Sequence, residues 1–185
     1  MSTSIETGLN ITTAVRVLRD TNADVERFFY SLDERLSHKS LRPSERSKVL
    51  ADSPRSLGDA NRWMTTTMYR AYAVPDIQNA EKFLAIEIHL APRHRDYPIL
   101  LALGVRTATA VPVKKIWDGW KRDFLDAWQS TSDDGSLANA DIQLAQQSFP
   151  GASTARGFTH PLCSLDFDNL QDKVVLPAVK LLEEL

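Results

Sequence analysis

Hydrophobic and polar positions along this chain change period twice. Apolar residues first recur at helical spacing, as Ile11, Ala14, Val15 and Leu18, then more strongly as Val25, Phe28, Phe29, Leu32 and Leu36. Between the two sets, Thr21-Asn22-Ala23-Asp24 has the form of a capping box with Asp in place of Glu. The pattern therefore predicts one helix over 12–38, or a short helix handing over to a second near Thr21. Three stretches then follow at strand period, 62–74, 83–91 and 99–106. Strands joined by such short segments run antiparallel, because a parallel return needs a crossover of about a dozen residues. In the first, Thr67, Tyr69 and Ala71 oppose Met68, Arg70 and Tyr72. In the second, Leu84, Ile86, Ile88 and Leu90 share one face, and Phe83, Ala85, Glu87 and His89 the other. The third is apolar on both faces, which predicts a central, doubly covered position.

Helical spacing returns after Pro112. Val113, Ile116, Trp117, Trp120, Phe124, Ala127 and Trp128 predict a helix over 113–129, and a shorter one is expected over 137–148. A fourth strand is expected over 156–166, where Pro161 implies an edge or a bulge. Leu170, Val174, Ala178, Leu181, Leu182 and Leu185 predict a closing helix over 169–185 that Pro177 kinks or splits. Residues 39–61 break every period with Pro43, Pro54 and Gly58; they read as a long basic and polar connection with one helical turn at 44–50. The expected fold is α+β, in a single domain over 1–185: a four-stranded antiparallel sheet (a three-strand meander plus one later strand) packed by N-terminal, central and C-terminal amphipathic helices.

Composition changes this picture little. The chain has 185 residues, 43% hydrophobic and 25% charged, with a net charge of −2, which is ordinary for a globular protein and argues against a nucleic-acid binder. Cys163 is the sole cysteine, so no intrachain disulfide forms. The polar first ten residues lack a signal-peptide layout, and the longest apolar run, 99–103, is too short to span a bilayer; a cytoplasmic protein without membrane contact is expected.

The strand faces supply the candidate chemistry. Glu87 and His89 lie two residues apart and point off the same face; with Arg70 and Arg106 on neighbouring strands they would form a polar patch able to hold an anion or move a proton. Arg93 and Arg95 at a hairpin tip are further candidate anion contacts, with a solvated tip as the plainer account. Cross-strand ion pairing is likewise the plainer account of Glu87 and His89. His160 and Cys163 are three apart, on opposite faces of a regular strand, which argues against a metal site. The stripe Trp117, Trp120 and Trp128 fits core packing.

No phosphate loop, G-x-S-x-G elbow or H-E-x-x-H is present. The element order resembles the PD-(D/E)xK nuclease core, whose third strand carries a Glu-x-Lys. Here that strand reads Ile-Leu-Leu-Ala-Leu-Gly-Val from Ile99, so the resemblance stops at element order and implies no metal-dependent phosphodiesterase. No catalytic residue, metal or cofactor is expected. The sequence points to a small interaction or ligand-binding module, with a protein partner or small anionic ligand, or a second copy of itself, as its partner. The alternative is an enzyme of hydrolase or phosphodiesterase type using the Glu87 and His89 face.

Overall fold

The computed structural model describes residues 4–44, 49–52, 65–75, 78–92, 96–112, 140–144 and 153–185. A single 34-residue helix α1 (Ser4–Ser37) precedes the short strands β1 (Arg42–Pro43) and β2 (Leu50–Asp52). Strands β3 (Thr67–Ala73), β4 (Asn79–His89), β5 (Ile99–Pro112), β6 (Ala140–Leu144) and β7 (Ser153–Pro161) follow. A 3₁₀ turn (Leu162–Ser164), a π-helical turn (Gln171–Val175) and helix α2 (Leu176–Glu184) close the chain.

The five main strands form one antiparallel sheet in the order β3-β4-β5-β7-β6, and β1 and β2 share the outer edge of β3. β5 is central, and every residue from Ile99 to Val105 is buried, as its unbroken apolar run requires. Past the irregularity between Ala80 and Lys82, alternation on β4 is regular from Phe83 to His89. Leu84, Ile86 and Ile88 turn toward the helices with Met68, Tyr72, Leu100, Ala102 and Phe158, and meet Val25, Phe29, Leu32 and Leu36 of α1. Phe83 and Ala85 turn the other way, into a second apolar cluster with Ala71, Leu101, Leu103, Val105 and Ala155. The sheet is thus buried on both faces.

Several expectations need correction. Five main strands stand where four were expected, because 140–144, read as part of a helix, is strand β6. Its Ala-Asp-Ile-Gln-Leu alternates at period two, but five residues are too few to outvote the surrounding Leu and Ala. The connection at 39–61 contains β1 and β2, strips too short to show a period, and Leu50 pairs as strand rather than closing a helical turn. Pro161 is neither on an edge strand nor in a bulge. It ends β7, which lies between β5 and β6, four residues past the last β6 pair at Gly157. The central helix expected at 113–129 lies outside the described residues, which contain two longer helices, α1 and α2.

At the amino end, Thr21 does not cap a second helix. Its Oγ1 donates to the Val17 carbonyl at 2.9 Å, one turn back, and α1 runs through. The helix stops at Ser37, and Ser40 in the turn beyond it has a left-handed φ of 57°. Lys39 and Leu41 both donate to the Leu36 carbonyl there, at 2.9 and 3.0 Å. At the carboxyl end, the break expected at Pro177 takes the form of the π turn, with the Leu176 amide donating to the Gln171 carbonyl. A ring without an N–H at position 177 cannot continue an α ladder, and the wider turn precedes it. α2 then packs close over Gly104, where an added Cβ would lie 2.9 Å from Leu185 Cδ1 and 3.3 Å from Leu181 Cβ.

Candidate functional site

Two polar clusters are set into the sheet, one across β3 and β4 on one face and the other between β3 and α1 on the opposite face. Register decides which residues meet. Thr67 stands directly opposite His89, and Tyr69 opposite Glu87, so Thr67, Tyr69, Glu87 and His89 project from one face. Arg70, opposite Ile86, projects from the other.

On the face away from the helices, the Glu87 and His89 side chains are only 4% and 3% exposed, and Nε2 of His89 lies 2.7 Å from Oε2 of Glu87. The other ring nitrogen, Nδ1, lies 3.1 Å from Oγ1 of Thr67. With Glu87 as a carboxylate, which only accepts, Nε2 is the ring nitrogen that carries a proton and donates to it. In the neutral ring Nδ1 is then bare and accepts the Thr67 hydroxyl proton. The result is an ordered row of hydroxyl, imidazole and carboxylate, with Thr67 half-buried at one end and the other two shut away from solvent. Ile99 and Leu101 of β5 stand beside His89 and Glu87 and keep that side apolar.

On the helix face, Asp33 of α1 receives two hydrogen bonds from Arg70, Nε to Oδ1 at 2.9 Å and Nη2 to Oδ2 at 2.6 Å. The Tyr72 hydroxyl donates to the same Oδ1 at 2.9 Å. Burial works against the Arg70 charge, but the hydrogen bonds and negative field of Asp33 outweigh it and hold the guanidinium above its usual pKa. Burial first, then the Asp33 carboxylate, pushes the Tyr72 phenol well above its usual pKa. This cluster clamps α1 to the sheet.

The polar patch expected from sequence is therefore only half assembled. Glu87 and His89 come together as expected, both off the face opposite Leu84, Ile86 and Ile88. Arg70 and Arg106 do not join them, because register puts both on the helix face. Arg70 is taken by Asp33, and Arg106 donates from Nη1 to the Leu185 carbonyl at 2.7 Å. Arg93 and Arg95 lie outside the described residues, as do Trp117, Trp120 and Trp128. His160 bonds locally to Ser164 at 3.1 Å, and Cys163 is exposed in the turn that follows. Among the described residues no three His, Cys, Asp or Glu side chains are placed to hold a metal ion.

Sequence reasoning missed Thr67 and Asp33. Thr67 was on the correct face, but the pairing register that brings it to His89 is not written in either strand alone. Asp33 had a readable signal: an acidic residue at the border of the stripe Phe29, Leu32 and Leu36.

A different surface stands out on α1. Its second half is buried at Val25, Phe29, Leu32 and Leu36, yet no residue from Gly8 to Asp24 is buried. Leu9, Ile11, Val15 and Val17 are 65%, 61%, 50% and 57% exposed. No helix among the described residues is long and apolar enough to cross a membrane. Comparison with known proteins yields no match to a family model, to a curated protein or to a solved structure.

Proposed function

We propose that this protein is an interaction module that engages a partner protein through the free half of α1. One observation carries the reading: a run of about five helical turns whose apolar side chains face water, continuous with a half that is buried. Ile11, Ala14 and Leu18 extend the stripe that Val25, Phe29 and Leu32 use against the sheet, at intervals of three, four and seven. An amphipathic helix of this kind docks into an apolar groove or along another helix. The opposite side sets Arg16 and Asp20 beside Leu9, with Arg19 on the flank, whereas a helix that lies on an anionic membrane carries a basic polar face. A protein partner fits that balance better than a lipid surface.

Photocrosslinking from single positions on the helix tests the reading. Crosslinks to one partner are expected from positions 11, 14 and 18, and not from positions 13 and 20 on the reverse side. Ile11→Asp with Ala14→Asp should abolish them while leaving the thermal midpoint within about 2 °C, since both positions are exposed and exposed substitutions have small effects on stability. Equal crosslinking from both sides would remove the case for the stripe.

A further inference from the structure

The row formed by Thr67, His89 and Glu87 does not depend on the reading of α1. We propose that Thr67 is an activated hydroxyl nucleophile for neutral carboxylic esters, with His89 as its base and Glu87 as the positioning residue. Three features carry this. The groups occur in the order hydroxyl, imidazole, carboxylate, at 3.1 and 2.7 Å, within reach for proton transfer. The tautomer that Glu87 imposes leaves Nδ1 free to receive the Thr67 proton, the logic by which hydroxyl nucleophiles are activated on unrelated folds. Access is graded in the useful direction: only Thr67 of the three meets solvent, so the nucleophile is reachable while its base and the carboxylate are shielded. Ile99 and Leu101 beside His89 and Glu87 are apolar, and the register partner of Thr67 on β2 is the acidic Asp52, a setting that favours an uncharged acyl group over an anionic phosphoryl group.

In the step itself, Thr67 Oγ1 forms a bond to the ester carbonyl carbon as its proton passes to His89 Nδ1. Glu87 steadies the imidazolium through Nε2. When the C–O bond to the leaving alcohol breaks, the departing oxygen takes the proton from Nδ1 and the acyl group stays on Thr67. Water, deprotonated by the same nitrogen, then attacks the acyl carbon and the proton returns to Thr67. The sum is ester plus water to acid plus alcohol.

A fluorophosphonate probe on the full chain, read by intact mass and peptide mapping, tests this. One adduct is expected, on residue 67, in the wild type and faster in Thr67→Ser, where the hydroxyl is less crowded. Thr67→Ala should take up none. Glu87→Gln should lower the maximal labelling rate by about 100-fold or more with the half-saturating probe concentration unchanged, a split that a purely structural role would not give. Should Glu87→Gln fail to fold, the Ser and Ala pair at residue 67 decides alone. An unlabelled but folded wild type, or an adduct that persists in Thr67→Ala, overturns the proposal.

Discussion

The two polar clusters differ in what they hold together. Asp33, Arg70 and Tyr72 link residues 37 and 39 positions apart in sequence and tie a helix to a sheet. Thr67, His89 and Glu87 link two strands that a ladder of backbone bonds already joins. Burying charge costs free energy, and in the first cluster the docking of α1 offsets that cost. The second joins residues of adjacent strands and sets a hydroxyl, an imidazole and a carboxylate in a row. The first fastens a helix to the sheet through a half-buried carboxylate; the second, built on a buried one, is the row on which the proposed ester chemistry rests.

The sharpest way to break this contrast is Asp33→Ala. It removes the carboxylate that accepts two hydrogen bonds from the buried Arg70 guanidinium, and a loss of about 1.5–3 kcal/mol in urea-induced unfolding is expected. A loss below about 1 kcal/mol would mean that the fastening is not one. Gly104→Ala probes the same face through shape rather than charge. The new methyl meets Leu181 and Leu185, and about 1–3 kcal/mol of destabilisation is expected, partly restored by Leu185→Ala, which removes one of the two contacts.

Alkaline titration isolates Tyr72. Its folded pKa is raised, so above the ordinary phenol value near 10 the unfolded chain loses its proton first. Stability from this group is complete below about pH 10 and declines as pH rises toward the folded value, by up to about 1.4 kcal/mol per unit. Tyr72→Phe should flatten that decline in denaturation midpoints taken from pH 9 to 11. On the other face, Thr67→Ala is expected to cost about 1 kcal/mol or less in the same assay, as one partly exposed hydroxyl–imidazole bond. A cost comparable to that of Asp33→Ala would make the two clusters structural equals.

How much of this was legible in the sequence depends on the range of the information each feature needs. The faces of β4 could be read directly, because Leu84, Ile86 and Ile88 alternate with Glu87 and His89. The central place of β5 followed from a run with no polar residue. Register could not be read, since it belongs to a pair of strands. For that reason Arg70 was grouped with Glu87 although it points to Asp33, and Thr67 was not connected to His89. β6 was misread because a five-residue alternation carries less weight than the Leu and Ala around it. The continuity of α1 through Thr21 was open because a threonine that caps and one that bonds back to a carbonyl look the same in one dimension.

Among its described side chains α1 is buried only from Val25 onward, which makes the amino half a cantilever. Beyond Asp24 toward the amino end, its coil–helix balance rests on local preference, and Gly8, Thr12 and Thr13 weaken that preference. Amide exchange should therefore slow in a gradient from the tip toward Val25 rather than in one step. Under the proposed reading, binding strength at this end is tunable by substitutions that change the helix population without touching the partner.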